Sequence, residues 1–140
     1  MPKPHSATAL PAPLIAWLST PAAYPHRPDE VQRVETHISC LFLAGSEVYK
    51  LKKPVQYDFL DFRTLAGRER ACREEVRLNR RLAPHIYLDV VPITAQASGF
   101  ALGGDGEVVD WLVHMRRLPD DRMLDALHRH GELTPQHIDA

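Results

Sequence analysis

The sequence has no apolar run long enough to span a bilayer, which excludes a protein held in a membrane by a hydrophobic helix. Its first residues lack the charged-then-apolar order of a secretory signal, so the chain is expected in the cytosol. Cysteine is scarce. The 2 cysteines, Cys40 and Cys72, are far apart and make no CxxC, which excludes a compact redox or metal-ribbon motif and suggests two reduced, buried small residues. Net charge is nearly absent at −1, which excludes a molecule that binds nucleic acid through its overall charge. Internal repeats are absent too. What is present is ordinary: 140 residues, 44% hydrophobic and 25% charged, one domain's worth of soluble globular chain.

Punctuation by proline and glycine divides the chain. Residues 1–13 hold four prolines among small residues and read as a tail. Leu14–Leu18 reads as one or two helical turns pinned by Trp17 and ended by Ser19-Thr20-Pro21. Val31–Glu35 alternates as a first strand, Thr36–Ser39 is a polar link, and Cys40–Ala44 is a nearly continuous apolar second strand. Gly45-Ser46 turns it into a third strand, Glu47–Lys52, closed by Pro54. A loop with large apolar anchors follows from Tyr57 to Phe62, and Asp61 is a candidate helix cap.

Thr64–Ala83 reads as one helix, interrupted near Gly67 and ended by Pro84. Ala71, Glu75, Leu78 and Leu82 share a stripe at helical spacing, with Arg70, Arg73, Arg77, Arg80 and Arg81 mostly off it. Leu88–Ile93 reads as an edge strand because of Pro92, Gly103–Gly106 as a turn, and Val108–Met115 as a fifth strand. Arg122–His128 and a segment opening at Thr134-Pro135 read as helices. The expected fold class is α+β, with a five-stranded, mainly antiparallel sheet and one packed helix.

In the third strand Val48, Lys50 and Lys52 share one face, and Tyr49, Leu51 and Lys53 the other. A strand lysine followed by a helix glutamate is the pairing with which kinase-type enzymes hold the phosphates of ATP. The element order is that of a protein-kinase-like small lobe. The sequence resembles the bacterial aminoglycoside phosphotransferase-like kinases, and most of all the branch in which that domain is fused to a C-terminal P-loop ATP-binding domain. The segments that carry the resemblance are Glu35-Thr36-His37-Ile38-Ser39, Val48-Tyr49-Lys50-Leu51-Lys52-Lys53-Pro54-Val55, Phe59-Leu60-Asp61-Phe62, Arg77-Leu78-Asn79-Arg80-Arg81-Leu82-Ala83-Pro84, Val90-Val91-Pro92-Ile93 and His114-Met115-Arg116-Arg117. They are spread over nearly the whole chain from residue 14 onwards.

The resemblance implies a nucleotide cleft for ATP, with weak or absent binding in this fragment and Mg²⁺ entering only in an intact enzyme. Lys50 would contact the phosphates, Glu75 would hold Lys50, Val48 would cover the adenine, and Met115-Arg116-Arg117-Leu118 would form the hinge that reads its edge. Lys52 competes with Lys50, which is favoured because Val48 precedes it as a ceiling. Glu74 competes with Glu75, which is favoured by its place on the apolar stripe. The link Thr36–Ser39 departs from the familiar pattern in having no glycine, so the Thr36 and Ser39 hydroxyls or a bare backbone would have to serve the phosphates.

His130-Gly131-Glu132-Leu133 looks superficially like a phosphotransferase catalytic loop. It follows the hinge too soon, carries Glu in place of Asp, and lacks the later asparagine, so it reads as a turn. His128, His130 and His137 lack metal-ligand spacing. The arginines between Arg68 and Arg81 are interleaved with Glu69, Glu74, Glu75 and Asn79 and read as a solvated helix face.

The expectation is therefore a tail at 1–13, a kinase-like N-terminal lobe at 14–118, and the truncated start of a helical C-terminal lobe at 119–140. The function expected is the nucleotide-binding lobe of an ATP-dependent small-molecule phosphotransferase, inactive by itself, with no catalytic or metal-binding residue in this chain. Its partners would be the nucleotide, the missing lobe and a P-loop domain, with no nucleic acid or membrane. Self-association through an exposed inter-lobe face at Met115 and Leu118 is also expected. The alternative is a non-catalytic binding module that retains the small-lobe fold.

Overall fold

The computed structural model describes residues 11–36, 38–54, 56–57 and 60–117. Helix α1 (Ala12–Leu18) and a 3₁₀ turn (Pro21–Ala23) lead into β1 (Val31–Glu35), β2 (Ser39–Ala44) and β3 (Glu47–Lys52). A small hairpin, β4 (Gln56–Tyr57) and β5 (Leu60–Asp61), precedes helix α2 (Leu65–Asn79). Then come β6 (Tyr87–Gln96), β7 (Gly99–Leu102) and β8 (Val108–Arg116). Six strands form one sheet in the order β1-β2-β3-β8-β6-β7, and every pairing in it is antiparallel. The fold is α+β, with a helix on each face of the sheet.

Alternation along the strands sorts the core into two layers. Leu41, Val48, Val113 and Met115 face α2 and pack with its Cys72 and Val76, and with Ile86 and Tyr87. Cys40, Phe42, Ala44, Tyr49, Leu51 and Leu112 face the other way and pack with Leu14 and Leu18 of α1 and with Tyr24. The Tyr24 hydroxyl donates to the Leu18 carbonyl, tying the turn to the end of α1. Gly45 adopts φ +64° in the β2–β3 turn, where a Cβ would stand 3.2 Å from Pro28 Cβ. Next to this turn Glu47 lies between His26, 3.8 Å away, and His114. His114 Nδ1 is 2.8 Å from Asp89, and its ring stacks on Tyr49 at 4.5 Å, so β3, β8 and β6 are clasped together on the α1 side.

Several expectations need correction. The sheet has six strands, not five, because Gly99–Leu102 returns alongside β6. Two helices pack on it, not one, and α1 begins at Ala12, inside the stretch read as a tail. β6 is no edge strand. Pro92 is tolerated inside it because pairing with β7 runs only from Ile93 to Gln96, so the proline stands just past the end of that neighbour. The helix cap is Thr64, whose side chain accepts from Gly67 N at 2.9 Å, and not Asp61. α2 runs through Gly67 without a break and stops at Asn79, ahead of the turns before Pro84.

The stripe read on α2 is also displaced. Cys72 and Val76 are buried, whereas Leu78 is 45% and Leu82 75% exposed, so those two leucines do not face the sheet. Met115, expected at an exposed inter-lobe face, is fully buried in the α2-side core. The expected helices at 122–128 and from 134, the His130–Leu133 turn, the three histidines and Leu118 lie outside the described residues. No helix among the described residues is long and apolar enough to cross a membrane.

Candidate functional site

β3 sends Lys50 and Lys52 toward α2, and α2 sends Glu75 back to meet them. Lys50 Nζ donates to Glu75 Oε2, and Lys52 Nζ donates to Glu75 Oε1 at 2.6 Å. One carboxylate thus holds two lysines, one on each oxygen. Residues i and i+2 of a strand lie about 6.7 Å apart, a spacing that two lysine arms close easily onto one acceptor. Both lysines are buried, Lys50 completely. Burial works to raise the Glu75 carboxyl, but the charges and hydrogen bonds of Lys50 and Lys52 outweigh it and hold the group down at about 2. Glu75 is therefore ionised at neutral pH, and each bond to it is charge-assisted.

The site has a hydrocarbon and aromatic frame. Lys52 Nζ stands 5.1 Å from the centroid of the Phe62 ring, a cation–π contact. Ser39 lies directly opposite Lys52 in the β2–β3 register, and Leu41 opposite Lys50. Val48 and Met115 are cross-strand partners on the same face as Lys50. The Val48 side chain is fully buried there. Arg117 sits at the other end of the strand pair. Its N–H donates to the Ser46 carbonyl at 2.9 Å, and its guanidinium reaches Gly45 O and Gln32. Glu74 is turned to solvent, where it pairs with Arg77.

Of the residues singled out from sequence, the structure brings together Lys50, Lys52 and Glu75, with Ser39 on the same face. It sets Glu74 apart. Thr36 is buried at the β1–β2 link, with its hydroxyl used within the link. A further contact was not legible in the sequence. Arg68 Nε donates to Asp110 at 2.9 Å, and Arg68 Nη1 to the Phe62 and Arg63 carbonyls, which fixes the start of α2 to β8 and to the segment carrying Phe62. Burial raises the Asp110 carboxyl against the opposing pull of Arg68 and of the Trp111 N–H. The partners are 42 residues apart, and no local pattern links them.

No family model and no solved structure matches the chain. It is similar to an uncharacterized protein of Mycobacterium bovis and to two uncharacterized proteins from strains of Mycobacterium tuberculosis, 39% identical over 106 residues in each case. The aligned stretch is 76% of this chain and 20% of each relative, so the chain spans about a fifth of the length of the curated relatives it matches.

Proposed function

We propose that the chain is the nucleotide-binding small lobe of an ATP-dependent small-molecule phosphotransferase, kinase-like in fold and akin to the aminoglycoside phosphotransferase-like enzymes. The observation that carries this reading is the buried bridge from Lys50 on β3 to Glu75 on α2. A packed apolar pair would hold α2 to the sheet at lower electrostatic cost, since taking ions out of water is expensive. A lysine fixed by a helix glutamate beside a nucleotide is the arrangement that positions ATP phosphates in such enzymes.

The relatives are 20% aligned, so about four-fifths of their length lies outside the matched stretch. That length has room for a large lobe and for a P-loop domain. In the intact enzyme those parts would supply the Mg²⁺ ligands and the acceptor site, and the γ-phosphoryl group of ATP would pass to a hydroxyl of a small molecule. Val48 and the end of β8, Met115 to Arg117, would border the adenine.

The test is titration of the 140-residue chain with ATP, set beside a Lys50→Met variant. Saturable but weak binding is expected, with the variant weaker still, and no ATP turnover from either protein with Mg²⁺ and an aminoglycoside added. A chain that binds no nucleotide at millimolar concentration overturns the reading and favours the alternative of a non-catalytic module.

A further inference from the structure

The sheet ends in two edges, β1 and β7, and they are finished differently. β7 is 4 residues long and opens on Gly99 at φ +146°. A short edge that carries glycine offers little to another strand. β1 has neither safeguard. Its 5 residues include no proline or glycine, and they pair with β2 in unbroken register. Gln32, Arg33, Val34 and Glu35 are all exposed. Among the described residues Val34 is one of three large apolar side chains left exposed, with Leu78 and Leu82.

The backbone of β1 fixes what its outer side presents. The Thr36 N–H donates to the Ser39 carbonyl at 2.9 Å, so Thr36 turns toward β2. In an antiparallel ladder every second residue does the same. Counting back, Val34 and Gln32 turn toward β2, and Val31, Arg33 and Glu35 aim their N–H and C=O groups outward. No strand stands beyond them among the described residues. A row of unpaired edge groups is a template for another strand. The side chains add a charge pattern. Arg33 lies opposite Phe42 and Glu35 opposite Cys40, both in the α1-side layer, whereas Val34 lies opposite Leu41 of the α2-side layer. Arg33 and Glu35 therefore share one face, 3.7 Å apart and open to solvent.

We infer that β1 docks on β1 of a second copy of this chain, antiparallel, so that two sheets join into one. Charge selects both the occupant and the register. A strand with a cation and an anion two places apart on one face is its own complement when a copy runs the other way. With the two-fold axis at Val34, Arg33 of each copy stands opposite Glu35 of the other, and Val34 meets Val34 on the opposite face. The residues paired in this way, Arg33 and Glu35, are those whose backbone groups point outward. An axis at Arg33 would set two guanidinium groups directly against each other, which is unfavourable. The contact surface differs from the one expected at Met115, which is buried. It does not depend on nucleotide binding. A single short strand makes a small interface, so the association is weak and reversible.

The experiment is sedimentation equilibrium of the full chain from micromolar concentration to about 1 mM. It is run on wild type, Arg33→Glu, Glu35→Arg and an equimolar mixture of the two variants. Wild type is expected to pass reversibly from monomer to dimer. Each reversal alone sets like charges opposite each other twice and should weaken the dimer about tenfold. In the mixture one copy carries only acidic and the other only basic side chains at these positions, so dimerisation should return to near the wild-type level. Arg33→Pro removes an outward donor but no bond to β2, so it should keep the unfolding midpoint near wild type and abolish the dimer. Amide exchange at Arg33 and Glu35 should slow as wild type is concentrated. A wild-type chain that stays monomeric at the highest concentration overturns the inference. So does a dimer indifferent to both reversals and to Arg33→Pro, which forms elsewhere. Protection of the two amides that is the same at every dilution also overturns it, because a segment of the same chain then covers the edge.

Discussion

Lys50 and Leu51 are neighbours in the sequence and both are fully buried, yet they lie in opposite kinds of interior. Leu51 faces α1, where Leu14, Leu18, Phe42, Tyr49, Ile93 and Leu112 make an apolar and aromatic layer. Lys50 faces α2, where two ammonium groups and a carboxylate occupy space that aliphatic side chains would fill. Hydrocarbon burial stabilises roughly in proportion to area, at about 25 cal/mol per Å². Ion burial has no such guarantee, because desolvation opposes the attraction of the charges. The α1 layer thus gains its stability from hydrocarbon and aromatic burial, whereas the α2 layer combines an apolar core with a buried ion cluster. The α2 face tolerates a less favourable interior, and on the function proposed above it is the face that would meet the nucleotide.

The comparison can be broken on either face. Phe42→Ala removes a fully buried ring from the α1 layer and should destabilise the chain by roughly 3–5 kcal/mol, read as a lower midpoint in urea. ATP affinity per folded molecule should not change. A cost below about 1 kcal/mol would mean that the layer collapses around the gap and is softer than its packing shows.

On the other face Glu75→Gln leaves two buried lysines sharing a neutral amide and should cost about 3 kcal/mol at neutral pH. Its pH dependence sharpens the point. The folded Glu75 carboxyl titrates at about 2, below its unfolded value, so its contribution is complete above the unfolded value near 4.5 and is lost as pH falls toward 2. Wild type should therefore lose stability over that acid window, and the difference from Glu75→Gln should shrink as pH falls. A constant difference across the window would show that the carboxylate charge is not what binds the lysines.

The smallest effect is expected one residue away. Glu74 pairs with Arg77 in open solvent, and Glu74→Ala should leave both the unfolding midpoint and nucleotide affinity unchanged. A measurable loss of nucleotide binding would restore Glu74 as the rival of Glu75.

How much of this was legible in the sequence depended on whether the signal was local. The β2–β3 hairpin could be read because Gly45 marks its turn and the flanking strands alternate. β7 was missed because Gly99–Leu102 is short and half small residues, although Ser98-Gly99 was a turn signal that could have exposed it. Glu75 was chosen for a reason that the structure does not support, since Leu78 and Leu82 face solvent and the buried stripe runs through Cys72 and Val76. Glu75 flanks that stripe closely enough to reach β3 all the same. The choice between Lys50 and Lys52 had no answer in the sequence because it is not a choice in the fold: both arms reach one carboxylate. Arg68 with Asp110 was beyond reach, because only tertiary structure brings them together.

The two cysteines have a use that follows from the division of the core. Cys40 lies on β2 in the layer covered by α1, and Cys72 lies on α2 itself, on the side that packs against the sheet. Burial pushes the Cys40 thiol up to about 11 and the Cys72 thiol up to about 12, so neither carries reactive thiolate while its helix is seated. Each helix therefore sits on its own chemical clock. A thiol reagent modifies Cys40 only as fast as the α1 side lifts and Cys72 only as fast as the α2 side lifts, so the two labelling rates time the opening of each face in the unmutated protein.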